Sequence, residues 1–266
     1  MFSFRQALSV FALLFLLSLS SAVTAAPKAD LWPYWQTSNP NSATQVDHSA
    51  WQNLLNTYLL VAPEQTRFRY AAVSAKDKTS LNQYIAGLTS RDPRRLNRNE
   101  QFAYWVNLYN ALTVKVILDH YPVSSITKLG GLFSFGPWDD KLVTIDGKKL
   151  SLNDIEHRIL RPIWQDKRIH YVVNCASLGC PDLLPEVMHA DRLNAQLDGA
   201  ARRFINSPKG VDDQGGKVRL SSIYDWYQSD FGSLTDLQKH LNNYRKQPVT
   251  LTKPSYDYDW RLNEFR

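Results

Sequence analysis

The sequence has 266 residues, a formal net charge of +6 and 44% hydrophobic residues, so it is long and apolar enough to bury a sizeable core. Its basic residues are scattered apart from a short cluster at 91–98, whereas nucleic-acid binding requires a coherent basic face. We therefore expect no nucleic-acid partner. The modest basic excess leaves contact with anionic cell-envelope components open.

The first segment, residues 1–25, is typical of a cleavable secretion signal. Arg5 precedes an apolar run from Ala7 to Leu19, and small residues follow it up to Ala25. The run is too short for a membrane anchor, which needs about 20 apolar residues, and no second run of that length follows. We therefore expect cleavage near Ala25, location in a periplasm or secretion from the cell, and no transmembrane segment in the mature chain.

The rest of the chain predicts one mixed α+β domain with more helix than strand, in which a long central helix packs a small sheet. Pro and Asn residues predict an extended lead-in at 26–46, followed by a single domain at 47–266. Apolar residues spaced three and four apart predict helices over 47–60, 80–88, 99–121, 151–160, 190–204 and 234–244. Strands are predicted over 67–73 and 168–173, and turn residues predict hairpins at 146–147 and 212–216.

Three motifs, in this order, resemble the family named domain of unknown function 547. They are Trp105–Thr113 on the long helix, Asp154–Arg161 on the next helix, and Arg168–Pro181 with both cysteines. The resemblance covers about residues 95–210. It extends more loosely, as in bacterial secreted members, to the stretches 225–232 and 258–263. It implies no settled activity, because the family is named for lacking one.

Cys175 and Cys180 are the only cysteines, and they lie in a loop directly after the predicted strand 168–173. Loops at such strand ends often carry functional residues. A thiol nucleophile needs a neighbouring base, because an unperturbed thiol is mostly protonated at neutral pH. The candidate bases are His157 and His170. A regular strand would turn His170 and Cys175 to opposite faces, which favours His157.

The resulting hypothesis is a cysteine-dependent acyl-transfer enzyme of the peptidase or amidase type. Cys175 would attack a carbonyl carbon and His157 would accept the thiol proton. The side chains that could orient the imidazole or stabilise an oxyanion are Asn107, Asn110, Asn174 and Glu156. Asn107 and Asn110 are favoured, since they lie three residues apart on one helix face. Further expected binding residues are His170, Asn174, Trp105 and Tyr109.

Three further interpretations stay open. The polar residues inside the long helix, Asn107, Tyr109 and Asn110, either line a cleft or tie the helix to a neighbouring strand. In an oxidising compartment Cys175 and Cys180 can form a structural disulfide, which favours a non-catalytic cell-envelope binding or assembly module. A metal site is less favoured, because the C-x-x-C and H-x-x-x-H spacings typical of zinc sites are absent. We expect no cofactor.

Overall fold

The computed structural model describes residues 27–131, 135–214 and 217–266; the predicted secretion signal and part of the predicted turn at 212–216 lie outside them. The helices in these ranges are α1 (Ser49–Tyr58), α2 (Ala75–Thr89), α3 (Arg98–His120), α4 (Arg161–Trp164), α5 (Leu193–Ile205), α6 (Ile223–Trp226), α7 (Gln228–Phe231) and α8 (Leu234–Asn242). A π-helix, Asp154–Leu160, leads directly into α4. Short 3₁₀ segments are Pro33–Trp35, Tyr70–Ala72, Pro93–Arg95, Ile126–Leu129 and Lys167–Tyr171.

The strands are short and form three small sheets in the described ranges, whereas the sequence predicts one. They are β1 (Leu59–Val61), β2 (Thr66–Phe68), β3 (Val143–Ile145), β4 (Lys148–Leu150), β5 (Val211–Asp212), β6 (Arg219–Ser221) and β7 (Ser255–Asp257). The first two pairs are antiparallel, and β6 pairs with β5 antiparallel and with β7 parallel. Helix therefore exceeds strand, which confirms the predicted α+β class.

The central helix α3 is buried on nearly all sides. Every residue from Glu100 to Val114 is buried, and α2 and the π-helix both pack against it. A helix enclosed in this way forms the core of a domain instead of one of its surfaces. Asn97 caps its N-terminus by accepting a hydrogen bond from the main-chain nitrogen of Glu100 at 3.0 Å. Pro122 follows its end and cannot continue a helix. The prediction of a long central helix is confirmed.

Two amides on α3 tie this helix to the main chain of distant loops. Asn107 donates to the carbonyl of Met188 and accepts from its nitrogen, both at 2.9 Å. Asn110 donates to the carbonyl of Val172 and accepts from the nitrogen of Asn174, both at 2.8 Å. A buried polar group left unpaired costs about 1–3 kcal/mol. Both amides therefore act as ties between elements, and their oxygens are already used by main-chain donors.

The segment before α1 is packed, although the sequence predicted an extended lead-in. Trp35 is 0% exposed, and its ring lies edge-on against Trp105 of α3 with centroids 5.3 Å apart. The main-chain nitrogen of Asp30 also donates to the carbonyl of His157 at 2.9 Å. The turn-forming residues describe the local backbone correctly, but burial of one large indole fixes the segment to the core. Trp105, predicted as a binding residue, is itself fully buried and serves packing.

The strand predicted at 168–173 is wrong, because the chain forms the 3₁₀ segment Lys167–Tyr171 there. Asp166 accepts a hydrogen bond from the main-chain nitrogen of Arg168 at 2.8 Å and also pairs with its guanidinium. Such local side-chain bonds stabilise a turn at the expense of extended structure. The alternation of faces that separated His170 from Cys175 therefore does not apply. The strand predicted at 67–73 is likewise limited to β2.

A segment near the end of the sequence, residues 255–263, closes the fold over the cysteine loop, residues 174–181. Within it, the carbonyls of Asp259 and Arg261 accept from the nitrogens of Gly179 and Leu178, both at 2.8 Å. Gly179 is required by this approach, since a β-carbon there would lie 2.7 Å from the nitrogen of Asp259. The closing segment is thereby held beside Cys175.

The Asn110 tie predicts a large loss of stability when its amide is removed. Asn110→Leu keeps the side-chain volume but leaves Val172 and Asn174 with unpaired buried groups, so the free energy of unfolding should fall by about 2–4 kcal/mol. Urea denaturation measures this change. The matched control is Asn53→Ala on the exposed face of α1, which should stay within about 0.5 kcal/mol of the parent. Equal effects of the two variants would contradict the tie.

Candidate functional site

The sulfur of Cys175 lies between two hydroxyl groups. Its Sγ is 3.0 Å from Ser177 Oγ and 3.0 Å from the hydroxyl of Tyr258, and the two hydroxyls are 2.9 Å apart. The main-chain nitrogen of Cys175 donates to Cys180 Sγ at 3.0 Å. Cys175 is only partly buried, whereas Cys180 is buried. We call Cys175, Ser177, Cys180 and Tyr258 the thiol cluster.

The thiol cluster favours the ionised form of Cys175. Burial alone raises the pKa of this thiol, but hydrogen bonds from Cys180, Ser177 and Tyr258 outweigh burial and lower the pKa to about 7 from the ordinary 9.0. Burial, followed by the proximity of Cys175, raises the pKa of Cys180 well above its usual value, so Cys180 stays protonated. A partly accessible thiolate near neutral pH is the form of cysteine that reacts as a nucleophile.

The amide of Asn174 shapes the loop that carries this sulfur. Its Oδ1 accepts from the nitrogen of Ala176 at 2.9 Å, and its Nδ2 donates to the carbonyl of Pro181 at 2.7 Å. Ala176 has a positive φ of 59°, which a non-glycine residue adopts only when its surroundings hold it. Asn174, predicted as a binding residue, is buried and is engaged with the loop itself.

His157 faces Arg161 in this structure. Its Nδ1 lies 2.9 Å from Arg161 Nη1, and because a guanidinium only donates, Nδ1 is the acceptor and the proton of the neutral ring is on Nε2. Burial lowers the pKa of His157; Glu156 opposes this effect and Arg161 adds to it. No hydrogen bond in the described ranges joins His157 to Cys175. The structure therefore does not bring the predicted pair into hydrogen-bond contact.

His170 belongs to a buried charge network with Arg161, Asp230 and Glu156. Asp230 accepts two hydrogen bonds from Arg161, at 2.6 and 2.8 Å, and lies 2.8 Å from His170 Nε2. Burial raises the pKa of Asp230, but His170 and Arg161 outweigh it and hold the pKa well below its usual range. Glu156 Oε2 accepts from the hydroxyl of Tyr109 at 3.0 Å. Glu156 Oε1 and His170 Nδ1 lie 3.8 Å apart, and neither has a hydrogen-bond partner in the described residues.

One short segment joins the thiol cluster to the charge network. Tyr227 stacks on His170 with ring centroids 3.9 Å apart, and the guanidinium of Arg161 lies 4.8 Å from the centroid of the same tyrosine ring. The preceding residue, Trp226, packs on Tyr258 with centroids 4.7 Å apart. The charge network therefore fixes the position of residues 226–230, which in turn pack behind the thiol cluster.

The state of the cysteines bears on the disulfide and metal interpretations. Both cysteines are free thiols, so the disulfide that the sequence allows is not formed in this structure. No group of three or more His, Cys, Asp or Glu side chains in the described ranges is arranged to hold a metal ion. In the same ranges no helix is long and apolar enough to cross a membrane.

Comparison with known proteins gives a family but no activity. The model of the family described as "Protein of unknown function, DUF547" matches residues 93–205. This region belongs to the DUF547 family. No curated protein and no solved structure matches the chain. The DUF547 region contains α3, the π-helix and the cysteine loop, which confirms the family resemblance drawn from the three motifs.

The sequence analysis did not predict a role in the site for four residues: Ser177, Arg161, Tyr258 and Asp230. Ser177 and Arg161 lie within the DUF547 motifs themselves. Tyr258 and Asp230 lie outside the DUF547 region, in the two stretches where the resemblance was looser. Only that looser resemblance could have drawn attention to them, because 83 positions separate Tyr258 from Cys175 and no spacing rule reaches so far.

The thiol cluster predicts that Cys175 is alkylated with a midpoint near pH 7, in contrast to the pH 9.0 of an ordinary thiol. Removing either hydroxyl, by Ser177→Ala or Tyr258→Phe, leaves the thiolate less stabilised and should raise the midpoint. We expect a rise of about one pH unit each, because a hydrogen bond to a charged group contributes about 1.5–3 kcal/mol. The measurement is the rate of reaction with iodoacetamide between pH 5 and 10, followed by mass spectrometry.

Tyr256→Phe is the matched control for the tyrosine variant, since Tyr256 is exposed on β7 and no contact in the described ranges joins it to the sulfur. Its midpoint should equal that of the parent protein. A parent midpoint near 9 would contradict the stabilised thiolate.

Proposed function

We propose that this protein is a cysteine-dependent acyl-transfer enzyme in which Cys175 is the nucleophile. The observation that supports the proposal is the partly accessible sulfur held by Ser177 and Tyr258 at 3.0 Å, with a pKa lowered to about 7. Thiolates of this kind attack carbonyl carbons without needing a base to remove the thiol proton first. The substrates would be esters or amides.

The reaction balances with water as the only co-reactant. The Cys175 sulfur forms a bond to the carbonyl carbon, and the carbonyl electron pair moves onto oxygen. When the carbonyl forms again, the bond to the alcohol or amine breaks, and the leaving group takes a proton from water. The resulting hydroxide hydrolyses the thioester, which releases the acid and restores the thiolate. The hydroxyls of Ser177 and Tyr258, freed from the acylated sulfur, would be available as donors to an oxyanion.

The charge network serves positioning in this proposal. Within the described part of the chain His157 donates nothing to the sulfur, its Nδ1 is occupied by Arg161, and its ring is buried. Asn107 and Asn110 have their oxygens engaged with main-chain donors. These side chains therefore act through the loops they hold, and the Cys180 thiol, two hydroxyls and a main-chain donor stabilise the thiolate in place of an imidazole.

The proposed location is outside the cytoplasm, in a periplasm or the surrounding medium. It rests on the basic start, apolar run and small residues of segment 1–25. In such a compartment envelope polymers and proteins are the available substrates or partners. A thiolate there must also avoid oxidation, which the partial burial of Cys175 and the full burial of Cys180 make slower.

Acyl-enzyme formation tests the proposal directly. The protein is expressed from its full sequence, recovered from the periplasmic fraction and mixed with p-nitrophenyl acetate. We expect release of nitrophenol and one acetyl group on Cys175, and an intact mass lacking residues 1–25. Cys175→Ala should abolish both events, whereas Cys180→Ala should keep the acetyl group on Cys175. Turnover that survives Cys175→Ala would sink the proposal.

The role of His157 has its own test. Because no hydrogen bond in the described ranges joins it to the sulfur, His157→Gln should leave the alkylation midpoint of Cys175 within about half a pH unit of the parent. His157→Asn provides a second variant in case the longer amide disturbs the packing. A midpoint that moves most of the way to 9.0 in both would show that the imidazole stabilises the thiolate after all.

A further inference from the structure

Five aromatic side chains form a continuous wall beside the thiol cluster. We call them the aromatic wall: Phe135, Trp138, Trp226, Tyr258 and Trp260. Six pairs of these rings are in contact, with ring centroids 4.5–6.0 Å apart. The residues come from three separate parts of the sequence, so the tertiary fold assembles the wall.

The aromatic wall is partly open to solvent. Phe135 is 58% exposed, and the other four side chains are only partly buried. Large rings usually bury most of their surface in a core, and the chain buries many others fully. A contiguous group of accessible rings is typical of a surface that contacts a ligand or partner.

The wall is continuous with the candidate nucleophile. The hydroxyl of Tyr258 contacts the sulfur of Cys175 at 3.0 Å, and the ring of the same residue packs on Trp226 and Trp260 at 4.7 and 4.5 Å. A group covalently attached to the sulfur would therefore begin at the wall. A shallow, open recess of about 580 Å³ lies alongside, lined by Tyr258 and Trp260 together with polar residues.

We infer that the aromatic wall binds the acyl part of the substrate, and that this acyl group carries an aromatic ring. The inference rests on the proposed function and names its substrate class. The wall rings meet at angles from 20° between Phe135 and Trp138 to 87° between Phe135 and Trp260, so they present mixed edges and faces. Another aromatic ring packs well on such a surface, in edge-to-face or offset geometry.

Most charges at the recess are paired, although Lys128 also lines it and forms no ion pair within the described residues. Arg261 pairs with Asp259 through several hydrogen bonds, so the cation and the anion that flank Trp260 in the sequence neutralise each other. Asp257, which also lines the recess, pairs with Arg219. A positively charged acyl side chain would have to compete with these pairs, whereas an aromatic ring needs only the apolar faces.

The experiment compares two p-nitrophenyl esters, acetate and 3-phenylpropanoate, with kcat/KM as the measured quantity. The parent protein should prefer the aromatic acyl group by about 10-fold or more, the discrimination that apolar pockets provide for added apolar groups. Trp260→Ala should remove most of this preference, and Trp260→Phe should restore part of it. Tyr256→Ala, which alters an exposed ring outside the wall, is the matched control and should keep the preference.

The outcomes separate the two levels of the proposal. Cys175-dependent turnover of both esters without preference, or a preference unchanged in Trp260→Ala, would overturn the wall as the acyl site and leave the nucleophile intact. No Cys175-dependent turnover of either ester would overturn the proposed function and this inference with it. An alkylation midpoint near pH 7 in Trp260→Ala verifies that the thiol cluster is still folded.

Discussion

The amide of Asn110 fixes the cysteine loop to the most enclosed helix of the protein, and the position of the sulfur depends on this contact. It pairs with the main chain of Val172 and Asn174 just before the loop begins. Asn174 then transmits the constraint through its own amide to Ala176 and Pro181. Core packing around α3 thus determines where the thiol lies. Side-chain amides hold the loop in place, although it contains no helix or strand.

A second constraint comes from buried charge. Arg161 is almost fully buried, and such a guanidinium is tolerated only with a well-placed partner, which Asp230 supplies. This requirement locks α7 against α4 and orients the two residues before it, Trp226 and Tyr227. The same ion pair that neutralises the interior therefore positions the aromatic rings beside the sulfur. The Arg161–Asp230 contacts therefore serve both the stability of the core and the geometry of the site.

The sequence predicts most of what local pattern controls. Periodic apolar residues gave the central helix, and Asp146-Gly147 gave the hairpin, whose positive φ values of 46° and 71° fit the turn. The segment 168–173 does not form the strand that its sequence predicts, because one acidic side chain, Asp166, stabilises a competing turn. The cysteine loop was found, but its partners were not. Tyr258 reaches the sulfur through the pairing of β6 with β7 and through the main-chain hydrogen bonds of Asp259 and Arg261 to the cysteine loop, and no local pattern encodes these long-range contacts.

The closing segment also makes reactivity depend on the order of synthesis. Cys175 is made 83 positions ahead of Tyr258, so for a time the thiol exists without one of the hydroxyls that stabilise its anion. In that interval its pKa stays closer to the ordinary 9.0, and a protonated thiol is slow to exchange with disulfides. In an unfinished chain Cys175 would therefore react slowly with disulfides. Its pKa would fall to the lowered value only in the finished fold.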